Sequence, residues 1–141
     1  MLKKILVPTD ASEFSQRALK SALELARKFN AEVELLFVMN MPIPYDASAN
    51  IYIISPEQID QEGERVLKTT LEGMDTSEVT ITNKKLQGKK PAAVILEEVK
   101  NKNIDLVVMG SHGRGAIAGS LLGSVSQHVL HGVECSVLIV K

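Results

Sequence analysis

Residues 104–115 read Ile-Asp-Leu-Val-Val-Met-Gly-Ser-His-Gly-Arg-Gly, and shortly afterwards the chain runs Gly119-Ser120-Leu121-Leu122-Gly123-Ser124-Val125-Ser126. The apolar run up to Met109 lacks polar alternation, as expected of a strand covered on both faces of a parallel sheet. Glycines directly behind such a strand allow a tight turn and let an anion approach the backbone. The second stretch enters a helix, whose first amides and dipole favour negative oxygens. Ser124 adds a hydroxyl donor, and Arg114 neutralises phosphate if it points inward. The same residues also suit a loop that only connects packed elements, with Arg114 in solvent.

Four further apolar runs surround this one: Ile5 to Val7, Val33 to Met39, Val79 to Ile81 and Val137 to Val140, with the central run taken as Ile104 to Met109. Val79 and Ile81 alternate with Thr80 and Thr82, which predicts a more exposed edge strand. Helical patterns fill the intervals. Phe14, Ala18, Ala22, Leu25 and Phe29 form one apolar stripe, with Ser12 or Asp10 as cap. Ser55, Pro56 and Gln58 read as cap, first-turn proline and capping-box partner of a second helix, in which Ile59, Val66, Leu67 and Thr70 share a face and Gly63 is a weak point. Pro91 opens a third helix with Ala92, Ile95, Leu96 and Val99 inward. A fourth contains Leu122, Val125 and Val129 and ends near Gly132.

Strand and helix alternate, which predicts a three-layer α/β sandwich with a mainly parallel sheet. At 141 residues the chain is expected to be a single domain. The stretch from Asn40 to Ser55, with Pro42, Pro44, Tyr45 and Tyr52, reads as a binding loop or an ordinary surface excursion.

Composition narrows the function. The 45% apolar and 23% charged content is that of a globular protein, and 16 basic against 17 acidic residues give a formal charge of −1. That balance speaks against a nucleic-acid-wrapping protein, though not against a small anion. The opening apolar run stops at Val7, too short for a signal sequence or a membrane span, so a cytoplasmic protein without membrane association is expected. Lone Cys135 fits a reducing compartment and reads as a small buried residue. His128 and His131 share a helix face without the Cys or carboxylate partners of a zinc site. Lys84, Lys85, Lys89 and Lys90 around Gly88 read as a solvated turn, since no aromatic platform accompanies them.

The familiar phosphate loops do not match. Leu122-Gly123-Ser124 lacks the Walker lysine, and the glycines from Gly110 to Gly115 are misspaced for the dinucleotide fingerprint. Asp10 closes the first strand in Val7-Pro8-Thr9-Asp10, where open α/β sheets present a ligand crevice. It caps the following helix, accepts a ribose hydroxyl, or both. The second strand ends at Phe37-Val38-Met39-Asn40, whose exposed backbone can meet an adenine edge while its apolar side chains pack against the ring.

The spacing Gly110, Gly113, Gly123 and Ser124, with nine residues from Arg114 to Leu122 in between, resembles the universal stress protein family and its ATP-binding branch. Ile5 to Asp10, Ser12, Ser15 and Ala18 look like that family's first strand and helix, and the resemblance covers nearly the whole chain. It implies a five-stranded sheet in the order 3-2-1-4-5, as in adenine nucleotide alpha hydrolase-like folds. It also implies ATP at the carboxyl ends of the strands, with Asp10 by the ribose, Val38 by adenine, Met109 near the nucleotide, and Gly110, Gly113, Gly123 and Ser124 around the phosphates. Pro8, Thr9, His112, Arg114, Val125 and Ser126 complete the expected cofactor-binding residues. Magnesium would be held mostly by phosphate and water. A homodimer through the terminal strand and an unidentified protein partner are further implications.

Where many relatives carry a basic residue, this chain has Gly115-Ala116-Ile117-Ala118-Gly119-Ser120, which leaves Arg114 to compensate or weakens phosphate binding. ATP-responsive signalling is the expected function, and slow hydrolysis is compatible with Asp10 and His112. The alternative is a scaffold of the same family that binds no nucleotide and works through protein contacts. A phosphoacceptor receiver domain fits poorly, because Thr82, Asn83, Lys84 and Lys85 follow the third apolar run where that domain needs an aspartate.

Overall fold

The computed structural model describes residues 1–40, 55–114 and 121–141. Strands β1 (Lys4–Pro8), β2 (Glu32–Asn40), β3 (Ile81–Gly88), β4 (Leu106–Gly110) and β5 (Ser136–Val140) alternate with helices α1 (Glu13–Phe29), α2 (Pro56–Leu71), α3 (Pro91–Lys102) and α4 (Ser124–Gly132). All pairings are parallel and the sheet order is β3-β2-β1-β4-β5. The expected architecture and strand order are therefore present. Residues 41–54 of the Asn40 to Ser55 loop and the Gly115 to Ser120 stretch lie outside the described residues.

Period-two alternation sorts the strand side chains into two cores. Ile5, Val7, Val33, Leu35 and Val108 face α1 and α2. Leu6, Leu36, Val107 and Met109 face α3 and α4, with Ile95, Val99 and Val129. The pairings differ in length. Glu32 to Leu36 are in register with β1, and the whole of β3 is paired with β2. Between β1 and β4, only Ile5↔Leu106 and Leu6↔Val107 are in register. Asp105 reinforces that short junction, its Oδ2 accepting the amides of Lys3 and Lys4 at 2.9 Å each.

Local chemistry sets the helix ends. Ser12 Oγ accepts the Ser15 amide at the start of α1, and Asn30 ends it in the left-handed conformation. Ser55 and Gln58 form the expected capping box, with Pro56 in the first turn of α2.

Several expectations shift. The buried side of α1 is Ser15, Ala18, Leu19, Ala22, Leu23 and Ala26, so the stripe is rotated: Phe14 and Leu25 are only half-buried and Phe29 is 53% exposed. Small residues bring the helix close to the sheet, and the larger ones splay to its flanks. Strand β3 starts at Ile81 and runs through Lys84 and Lys85, which are therefore strand residues and not a turn. Both are ion-paired, Lys84 with Glu98 of α3 and Lys85 with Asp60 and Glu64 of α2. Its place at the sheet edge agrees with the reading from sequence. Gly63 belongs to the packing of α2, since a Cβ there would lie 2.6 Å from Lys85 Cδ. Helix α4 starts at Ser124 and excludes Leu122. On α3, Glu98 is buried beside Ile95 and Val99, while Leu96 is half-buried and packs against Gly132.

Candidate functional site

The order of the sheet reverses between β1 and β4, and open α/β sheets carry their ligand crevice at such a point, outside the carboxyl ends of the strands. A cavity of about 450 Å³ lies there. Its wall brings together Pro8, Thr9 and Asp10 from the end of β1, Val38 from β2, and Met109 and Gly110 from β4. His112, Gly113 and Arg114 of the following loop join them, with Gly123, Ser124, Val125 and Ser126 at the start of α4. Ser15, Leu36, Phe37, Pro91, Ile95 and Leu122 also line it and were not singled out from sequence as site residues. The inward α3 pattern held a signal for Ile95. For Pro91 only its first-turn position was legible, because its place on the wall depends on where α3 crosses the sheet.

Asp10 organises one side. Its Oδ1 accepts the Ser12 amide at 2.9 Å and the Ser15 hydroxyl at 3.3 Å, while Oδ2 accepts the Arg114 amide at 2.8 Å. Burial works to raise its pKa, but the hydrogen bonds from Ser12, the Arg114 amide and Ser15 outweigh it and hold the carboxyl below its usual range. Asp10 is thus an ionised acceptor that ties the β1–α1 turn to the glycine loop. Thr9 is buried, and its hydroxyl contacts Thr70 at 2.6 Å and Ser15 at 3.1 Å.

Backbone polarity opens the second side. The Thr9 amide donates to the Leu36 carbonyl at 2.8 Å. In a parallel sheet alternate residues address the same neighbour, so the N–H and C=O of Val38 point past the end of β1 into the crevice.

The glycine loop and α4 form the third side. The Gly123 amide donates to the Ser111 carbonyl at 2.6 Å, and Ser126 Oγ donates to the Gly110 carbonyl at 2.8 Å. Ser126 therefore braces the loop with its side chain. Gly123 caps α4 without a side-chain acceptor, so no capping group competes for the first amides. Pro91 brings the beginning of α3 to the same cavity, adding a second positive helix end. His112 shares a hydrogen bond between its Nδ1 and Ser111 Oγ at 3.0 Å and packs its ring 5.5 Å from that of Phe14, over which the Arg17 guanidinium lies. Arg114 is exposed and contributes its amide to the ordered structure.

Outside the cavity, burial raises the Cys135 thiol pKa, which suits an inert packed residue. Among the described residues no group of three or more His, Cys, Asp or Glu is arranged to hold a metal ion, and no helix is long and apolar enough to cross a membrane.

Known proteins are similar to this chain in sequence and fold over nearly its whole length. A universal stress protein of Methanocaldococcus jannaschii is 36% identical over 143 aligned residues, covering 100% of this chain and 83% of its own. A universal stress protein solved in complex with cAMP is 26% identical with a TM-score of 0.67, covering 99% of this chain and 97% of that one. A family protein of Arabidopsis thaliana with AMP bound is 23% identical with a TM-score of 0.66, covering 99% and 91%. The family model itself matches residues 1–141, and the chain belongs to the universal stress protein family.

Proposed function

We propose that this protein binds ATP in the crevice between Asp10 and the start of α4 and acts as a nucleotide-responsive regulator. The observation that carries the reading is the convergence of three complementary surfaces on one cavity: an ionised carboxylate, an open strand edge at Val38, and helix amides uncovered by Gly123. A carboxylate has about four acceptor positions, so Asp10 retains capacity for a ribose hydroxyl beyond its three protein donors. The Val38 N–H and C=O match the acceptor and donor on the adenine edge. The α4 amides and the two helix ends offset phosphate charge without a lysine. The relatives bound to cAMP and AMP support an adenine nucleotide as the ligand class.

Among the described residues Asp10 is the one acidic residue on the cavity wall, and its oxygens already hold the turn together. Magnesium would therefore arrive with the triphosphate, held by phosphate oxygens and water. The same engagement of Asp10 favours binding over rapid hydrolysis. A homodimer through β5 and a cytoplasmic location complete the proposal.

Calorimetric titration of nucleotide-stripped protein with ATP and magnesium should give a saturable heat, and mass spectrometry of denatured protein should detect co-purified adenine nucleotide. Gly123→Lys should lower affinity by at least about tenfold by filling the approach to the α4 amides. The assignment fails if no saturable heat appears and equilibrium dialysis agrees. The nucleotide-free scaffold reading would then take its place.

A further inference from the structure

Behind the crevice, α2 reaches the Asp10 turn through the hydroxyl groups of Thr70 and Thr9. Thr70 is fully buried, and its Oγ1 donates to the Val66 carbonyl at 2.7 Å. A hydroxyl carries one hydrogen, so with that of Thr70 on Val66 the 2.6 Å contact between the two threonines draws on the Thr9 hydrogen, which is shared between Thr70 and Ser15 Oγ at 3.1 Å. The Thr9 oxygen then presents its lone pairs to the Ala11 amide, which donates to it at 3.0 Å. Ala11 stands at φ 64°, a left-handed conformation that is strained for a residue with a Cβ and needs external support. On its two sides lie Asp10 and Ser12, the carboxylate and the amide that bind each other. A second tie, from Gln16 Nε2 to the Thr69 carbonyl at 3.0 Å, fixes α2 against α1 at the same level.

We propose that Thr70 is a positioning residue for the nucleotide: acting through Thr9 and Ala11, it orients the Asp10 carboxylate for the ribose hydroxyls. The inference rests on the adenine-nucleotide reading above and adds a residue remote from the cavity wall. Without the Thr70 acceptor, the Thr9 hydrogen is left to Ser15 Oγ alone, at 3.1 Å. Ser15 shares its own hydrogen between the Ser12 carbonyl at 2.8 Å and Asp10 Oδ1 at 3.3 Å, so the change reaches the carboxylate from both sides of the turn.

Thr70→Val keeps the shape and removes the hydroxyl, whereas Thr70→Ser keeps the hydroxyl. The experiment compares both with wild type, using ATP and 2′,3′-dideoxy-ATP in calorimetry and amide hydrogen exchange on nucleotide-free protein. Thr70→Val should weaken ATP binding about fivefold, the size of one lost hydrogen bond, and Thr70→Ser should stay within about twofold of wild type. With the dideoxy nucleotide the loss should shrink to under about twofold, because no hydroxyl remains for Asp10 to meet. In free protein the Ala11 amide should exchange about tenfold faster in Thr70→Val while β4 amides keep their rates. Equal losses for both nucleotides, or an unchanged ATP affinity, would overturn the positioning role while leaving nucleotide binding intact. An unchanged Ala11 amide would overturn the proposed route. Failure of wild type to bind either nucleotide would instead overturn the nucleotide reading and the ribose role with it.

Discussion

A methyl group added at Gly113 would stand 2.5 Å from Asp10 Oδ2, whereas one at Gly110 would stand 2.6 Å from Phe14 Cβ and 2.9 Å from its backbone carbon. Two glycines of one motif thus have different reasons to lack a side chain. Gly113 leaves room for the carboxylate that receives the Arg114 amide, and Gly110 leaves room for α1 against the end of β4. A Cβ at Gly123 would lie 3.3 Å from His112 Cα and 3.5 Å from the Ser111 carbonyl oxygen, so its absence lets the glycine-loop backbone lie tight against the start of α4. Gly113→Ala should displace Asp10 and reduce ATP affinity by about tenfold or more at modest cost in stability. Gly110→Ala should chiefly destabilise the fold, by about 1–3 kcal/mol in urea unfolding. If Gly113→Ala binds ATP like wild type, Asp10 does not act through this contact.

Between β2, β3 and α3, a charged cluster sits on the face that carries Leu36 and Ile95. Burial, a hydrogen bond with Glu98 and that residue's charge push the Glu34 pKa up to about 7, against the smaller pull of Lys84 and Lys102. Burial also works to raise Glu98, but Lys84 and the proton shared from Glu34 outweigh it and hold Glu98 ionised. Glu34 Oε1 is shut from solvent without a donor, consistent with a neutral carboxyl. A folded pKa above the unfolded value of about 4.3 means that the contribution of Glu34 to stability is full below that pH and is lost as pH rises through about 7. Glu34→Gln should therefore match wild type near pH 5 and exceed it by on the order of 1 kcal/mol near pH 8.5 in urea unfolding. A pH-independent difference would show that no proton is held there.

This cluster also marks where the sequence stops being readable. The β4 run and the glycine spacing are local signals, since both the apolar density and the turn chemistry lie in consecutive residues. The alternation at Val79 to Thr82 suggested a strand that in fact begins at Ile81, because polar Lys84 and Lys85 are neutralised by acids on α2 and α3 that only the fold brings near. Phe14 and Phe29 drew the α1 stripe toward the largest side chains, whereas close packing selected Ala18, Ala22 and Ala26. Asp10 was legible as a site residue from its place at the end of β1. Thr70 was legible only as an apolar-face residue, since its partner Thr9 is distant in sequence.

At the scale of the molecule, β5 ends the sheet beside β4 and, among the described residues, leaves one side of its backbone without a strand neighbour. Leu138 on it is 38% exposed. Such an edge calls for pairing or cover, and a second copy related by a twofold axis would supply either. Light scattering should give a dimer mass for wild type and a monomer mass for Leu138→Asp, and a wild-type monomer would remove β5 as an interface.

The brief register between β1 and β4 has a mechanical consequence. Strands β1, β2 and β3 form one paired unit, β4 and β5 form another, and few sheet hydrogen bonds among the described residues stitch the two together. The crevice lies across that stitch, with Asp10 and Val38 on one bank and Gly123 and Ser124 on the other. A nucleotide seated there would act as a rivet through the least sewn line of the protein. Its arrival would then be felt less as a change of shape than as a stiffening of two halves into one body.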